Sequence, residues 1–179
     1  MTDPRPIRNL ALIGLMGAGK TSVGRWVAER LHFSLLDTDA LIEERVGKPI
    51  AQIFAEEGEP AFREYERRVV EELGHLTDTV ISTGGGLPTQ EPNLASLKTH
   101  SLVVYLWASP EKLWERVRGQ KHRPLLHDAD PLEKLRRLLA ARDPFYRQAD
   151  ILVNTEWRSV AEVAQHVINQ FRMAVADRR

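Results

Sequence analysis

Residues 14–21 read Gly14-Leu15-Met16-Gly17-Ala18-Gly19-Lys20-Thr21 and fit G-x-x-x-x-G-K-[ST], the phosphate-binding P-loop. A chance match in a chain of this length is about a one-in-a-hundred event or rarer on average composition. The flanks fit as well. Leu10-Ala11-Leu12-Ile13 is a short apolar run, expected as a buried strand, and Val23, Val27 and Leu31 recur at helical spacing from Lys20 onward. Strand, glycine loop and helix together turn backbone N–H groups and a helix N-terminus toward a phosphate. In that arrangement Lys20 reaches terminal phosphates, and the Thr21 hydroxyl is placed to ligate Mg²⁺.

The rest of the chain alternates strand and helix. Apolar runs at 33–36, 79–82, 102–107 and 151–153 are expected strands. The run at 102–107 has no polar alternation, as a parallel strand covered on both faces requires. Helices are expected between them. One carries a stripe of Phe62, Tyr65, Val69 and Leu73, and one begins at Ser109-Pro110. Another begins at Pro131 and is expected to break at Asp143-Pro144, and the last is capped by Ser159. The pattern predicts an α/β fold with three layers, a parallel sheet between helices, in one domain of 179 residues. Ligands in such sheets sit beyond the C-terminal strand ends. The P-loop, Asp37 with Asp39, and Gly84-Gly85-Gly86 all follow strands directly, so they are expected to meet in one cleft.

Bulk properties exclude several classes. The chain has no cysteine, which removes disulfides, thiol catalysis and Cys-based zinc sites. Lys+Arg and Asp+Glu are both 25, so nothing global pulls it toward nucleic acid or an anionic membrane. The N-terminus has no apolar signal region, and the apolar runs are too short to span a bilayer, so a cytoplasmic protein is expected.

Asp37 and Asp39 have two readings. If the chain stays extended, both carboxylates face one side, one to hold Mg²⁺ and the other to orient and deprotonate a hydroxyl. Alternatively Asp39 is an N-cap for the helix that begins at Ala40. Three consecutive glycines allow a ligand to approach the backbone closely. Residues 120–130 are expected as a loop long enough for a lid, in which Arg123, set by the Pro124 that follows, would close on a transferring phosphoryl group. Arg63 borders an apolar helix stripe and Arg142 stands at an expected helix end, and both suit bidentate carboxylate recognition or a surface ion pair. Trp26, Trp107 and Trp114 are expected to be core or half-buried, and neither Trp157 nor the six histidines receive a role.

Neither N-K-x-D nor D-x-x-G occurs, which argues against a GTPase, and the only acid ending an apolar run soon after the first helix is Asp37. A small-molecule kinase remains. From about Leu10 to the last helix, the ordered motifs resemble the shikimate kinase family. These motifs are residues 14–21, Leu36-Asp37-Thr38-Asp39, Phe62-Arg63, Gly84-Gly85-Gly86, Arg123-Pro124-Leu125-Leu126, and Arg142 with Pro144 and Tyr146-Arg147.

The resemblance implies a five-stranded parallel sheet of order 2-3-1-4-5 with a mobile lid. The core sheet and P-loop would occupy about 9–37, a substrate-binding helical region about 38–76 and the lid about 119–131. It implies Mg-ATP-dependent phosphorylation of the 3-hydroxyl of shikimate, in aromatic amino-acid biosynthesis. By family pattern Asp39 binds that hydroxyl and is the base. Arg63 and Arg142 hold the substrate carboxylate, with Gly84, Gly85 and Gly86 against the substrate. Gly17, Ala18, Gly19, Lys20, Thr21 and Ser22 hold ATP, and Arg116 packs on adenine. Lys20 and Arg123 neutralise phosphate charge, while Thr21 and Asp37 serve the metal. The family pattern also implies a monomer whose partners are ATP and shikimate, without nucleic acid or membrane. The last P-loop position is Thr21 followed by Ser22, where many relatives have Ser then Thr, and either hydroxyl can bind the metal. Gluconate kinase, a nucleoside monophosphate kinase and a non-catalytic nucleotide-binding regulator are the alternatives. Arg63, Arg142 and the glycines argue against the first two. The presence of Lys20 and Asp39 argues against the third.

Overall fold

The computed structural model describes residues 5–119 and 129–176. Arg123 and most of the span assigned to a lid lie outside them. Five parallel strands form one sheet in the order β2-β3-β1-β4-β5. They are β1 (Asn9–Ile13), β2 (Ser34–Asp37), β3 (Thr79–Ser82), β4 (Ser101–Trp107) and β5 (Ile151–Asn154). The helices are α1 (Lys20–Leu31), α2 (Thr38–Val46), α3 (Ile50–Glu56), α4 (Gly58–Leu73), α5 (Glu91–His100), α6 (Pro110–Val117), α7 (Pro131–Tyr146) and α8 (Val160–Ala176). The expected fold class and strand order are both present.

The central strands carry the core. Every residue of β1 is buried, as are the first six of β4, because helices cover both faces of the sheet. Leu12 pairs with Ser82 on one side and Val104 on the other, which aligns the strand ends from which the P-loop and the glycine run emerge. α1 starts at Lys20, as its periodicity predicts, and Gly19 precedes it at φ 94°, a left-handed conformation that glycine adopts without strain.

Four local expectations need correction. α7 does not break at Asp143-Pro144 but continues to Tyr146, so Arg142 lies inside the helix. Pro144 sits in the last turn, where the lost N–H bond and the ring clash bend few following residues. The chain also does not stay extended through Asp37-Thr38-Asp39. It turns into α2 at Thr38, and the N-cap is Asp37, not Asp39, with its carboxylate accepting from the N–H groups of Asp39 and Ala40. On α4 the fully buried positions are Phe62, Glu66, Val69, Val70 and Leu73, so Glu66 occupies the stripe and Tyr65 its edge. Trp26 is exposed and lies under Arg30, with the guanidinium carbon 5.2 Å from the ring centroid.

At the end of the sheet away from the P-loop, His100 is buried and its pKa is lowered, first by burial and then by Arg8. Asn9 Nδ2 donates to Leu76 O at 2.8 Å and lies 3.1 Å from His100 Nδ1, so the neutral ring accepts there. A proton on Nδ1 would set donor against donor. Below pH 6.5, the ordinary histidine value, the unfolded chain takes up a proton that the folded chain refuses. This contribution to stability is therefore complete above that pH and falls as the pH drops. His100→Gln keeps an acceptor and does not titrate. Urea unfolding at about pH 7.5 and about pH 5.5 should show a smaller acid-side loss in the variant than in the parent; equal losses would show that His100 is not responsible.

Candidate active site

The P-loop, the start of α2 and the run after β3 line one cleft of about 660 Å³. Gly17, Ala18, Gly19, Lys20, Thr21, Ser22, Asp37, Asp39, Gly85, Arg116 and Arg142 all border it. The rule of strand C-termini thus brings together much of what the sequence places far apart, although of the predicted acceptor residues Arg63, Gly84 and Gly86 are not on the cleft's lining.

On the nucleotide side, Lys20 Nζ donates to Gly14 O at 2.9 Å and to Leu15 O at 3.1 Å, so the ammonium is folded back over its own loop. Arg116 reaches across from α6. Its guanidinium donates to Gly17 O at 3.2 Å, to the Thr155 hydroxyl at 3.0 Å and to Thr155 O at 2.6 Å. This fixes the arginine at the P-loop rim. Thr155, which also borders the cleft, was not legible as a site residue because no motif marks it.

Asp37 divides its two oxygens between two tasks. Oδ1 caps α2, while Oδ2 accepts from the Thr21 hydroxyl at 3.2 Å and the Ser82 hydroxyl at 3.1 Å. Carboxylate and hydroxyl oxygens converging beside a phosphate loop are the hard donors that Mg²⁺ takes. Among the described residues no three His, Cys, Asp or Glu side chains cluster to cage a metal. These oxygens could hold Mg²⁺ only with phosphates and water completing its shell, an arrangement that ion commonly takes.

On the acceptor side, the three glycines are bare where charged groups press against them. A Cβ on Gly84 would fall on Asp39 Oδ1, one on Gly85 would lie 3.1 Å from Arg142 Nη1, and one on Gly86 would lie 2.8 Å from Arg63 Nη2. None of the three has a positive φ. Their glycine identity serves close approach, not an unusual backbone shape. Two cations and one carboxylate from α7, α4 and α2 therefore meet over three adjacent residues.

Arg63 is held in place by acids on its own helix. Nη1 donates to Glu66 at 2.6 Å and Nη2 to Glu59 at 2.7 Å. Burial works against the charge on Arg63, but Glu66 and Glu59 outweigh it and raise its pKa. Glu66 is buried, and burial pushes its carboxyl above the ordinary range, with Arg63 opposing and Asp39 adding to the rise. Sequence reasoning missed Glu66. Its signal was an acid at the i+4 position from Phe62, on the stripe itself.

The family model for shikimate kinase matches residues 16–172. A shikimate kinase from Cupriavidus pinatubonensis is 47% identical over 175 residues, covering 97% of this chain and 90% of that protein. One from Neisseria meningitidis is 51% identical over 147 residues, covering 82% of this chain and 86% of its own length. Among solved structures, shikimate kinase from Acinetobacter baumannii in complex with shikimate aligns with a TM-score of 0.88 and 42% identity, over 93% of this chain and 94% of that one. A gluconokinase from Sinorhizobium meliloti aligns with a TM-score of 0.63 at 18% identity, over 97% of each chain, a likeness of fold alone. With its sheet order, its P-loop and its three charges gathered over bare glycines, this chain belongs to the shikimate kinase family.

Proposed function

We propose how this chain's residues divide the work of its family's reaction, transfer of the ATP γ-phosphoryl group to the 3-hydroxyl of shikimate. The observation that carries the reading is the meeting of Asp39, Arg63 and Arg142 over residues 84–86, in continuity with the P-loop cleft. A small acid bearing several hydroxyls needs cationic anchors for its carboxylate and an acceptor for the reacting hydroxyl. Arg63 and Arg142 are the anchors, forming charge-assisted pairs with the carboxylate. Asp39 accepts the proton of the 3-hydroxyl as the oxygen attacks, which is general-base catalysis. Gly84, Gly85 and Gly86 admit the ring against bare backbone. The shikimate bound in the Acinetobacter baumannii structure supports this acceptor.

The P-loop N–H groups and Lys20 hold the phosphates, Arg116 packs on the adenine, and Arg123, outside the described residues, neutralises charge on the moving phosphoryl group. Thr21 and Asp37 would hold Mg²⁺, with Ser82 orienting the Asp37 carboxylate. When bound, the ion would neutralise phosphate charge. Residues 38–76 act as the substrate-binding region and about 119–131 as the lid, in a single-domain monomer working in the cytoplasm. Among the described residues no helix is long and apolar enough to cross a membrane.

A coupled ADP-release assay with Mg·ATP tests this directly. Release should depend on shikimate and vanish in Lys20→Ala; release without shikimate, or none at all, would refute the reading. Asp39→Asn should lower kcat by roughly 10²- to 10⁴-fold while ATP still binds, and an unchanged kcat would remove Asp39 as the base. Arg63→Ala should raise the KM for shikimate about tenfold or more with little change in the KM for ATP, the scale of one lost charge-assisted bond. The opposite pattern would reverse the two half-sites.

A further inference from the structure

The glycine run is a template for three charges, so whatever fixes the run also fixes their spacing. Two buried hydroxyls from different helices hold it. Gly84 N–H donates to Thr38 Oγ1 at 2.9 Å, and Thr38 is fully buried at the start of α2. The Tyr146 hydroxyl donates to Gly85 O at 2.6 Å, and Tyr146 is fully buried in the last turn of α7. Each pin comes from the helix that supplies a charge to the same stretch. Thr38 adjoins Asp39, whose carboxylate lies on Gly84. Tyr146 follows Arg142 by one helical turn, and Arg142 lies on Gly85.

The geometry points to Thr38 and Tyr146 as positioning residues for the acceptor site. They lock the peptides around Gly84 and Gly85 to α2 and α7, and so set the separation between Asp39 and Arg142. Neither hydroxyl needs to touch the substrate. The continuation of α7 through Pro144 is part of the device, because a break there would carry the Tyr146 hydroxyl away from Gly85 O. The Tyr146 ring is steadied separately by Tyr105, with centroids 5.1 Å apart. Tyr105 spends its own hydroxyl on Asp143 at 2.9 Å and makes no bond to the glycine run.

This inference rests on the acceptor reading above, and the test separates the two. Shikimate-dependent turnover by the parent enzyme checks the reading, while steady-state constants of variants check the pins. Tyr146→Phe keeps the ring and removes the bond to Gly85 O together with the contact between the hydroxyl and Arg142. It should raise the KM for shikimate roughly fivefold to tenfold, the scale of a buried hydrogen bond, with the KM for ATP within about twofold. Tyr105→Phe removes an equally buried hydroxyl from the adjoining ring and should leave both KM values within about twofold. Thr38→Val should reproduce the rise, and Thr38→Ser, which keeps a hydroxyl, should restore the parent value. If Tyr146→Phe does not fold, the Thr38 pair decides alone. The inference is overturned if Tyr146→Phe or Thr38→Val leaves the shikimate KM unchanged, if both KM values rise together, or if Tyr105→Phe matches Tyr146→Phe.

Discussion

The acceptor half of this protein depends on contact between bare backbone and charge. Asp39, Arg142 and Arg63 come from three separate helices and meet at Gly84, Gly85 and Gly86, where an added Cβ would overlap Asp39 and Arg63 and crowd Arg142. Like and unlike charges so arranged are costly to bury unless each is paired. Glu66 and Glu59 pair Arg63, and Asp37 caps the helix that delivers Asp39. The energy of the site is thus spread into helices that do not touch the reacting atoms. This is how a rigid scaffold holds a catalytic arrangement to the tolerance that proximity effects demand.

The nucleotide half uses a different constraint. There the backbone is shaped by the loop, and the side chains mainly neutralise charge. Asp37 joins the halves. One oxygen starts α2 and so aims Asp39; the other bonds to Thr21 and Ser82 beside the phosphate loop. A cap of this type is worth about 1 kcal/mol to a helix. Here its larger consequence is geometric, because moving Asp37 shifts the hydroxyl cluster and the Asp39 carboxylate together.

Most of the fold was legible because its signals are local. The P-loop pattern, the unbroken apolar run of β4 and the Ser109-Pro110 helix start each depend on a few neighbouring residues. Strand order was not local and came from family resemblance. What escaped depends on tertiary contacts. The cap at Asp37 in place of Asp39 turns on where the chain leaves β2, and both residues are good caps by type. Pro144 reads as a breaker, yet it falls where the helix is about to end. Glu66 bears on the site through Arg63, and only its place as an acid on an apolar stripe hints at it; Tyr146 stands in a family motif, but its bond to Gly85 O follows from no spacing rule.

The central claim is that bare backbone at residues 84–86 places the anchoring charges, and Gly86→Ala isolates it. Gly86 has φ −85° and ψ −23°, which alanine adopts freely, and the three atoms nearest an added Cβ all belong to the Arg63 guanidinium. The fold should survive while the guanidinium is displaced. Titration calorimetry of shikimate into parent and variant should show affinity falling about tenfold or more with nucleotide affinity retained, and a lower melting temperature because the displaced Arg63 loosens its pair with buried Glu66. Equal shikimate affinity in a folded Gly86→Ala protein would contradict the account.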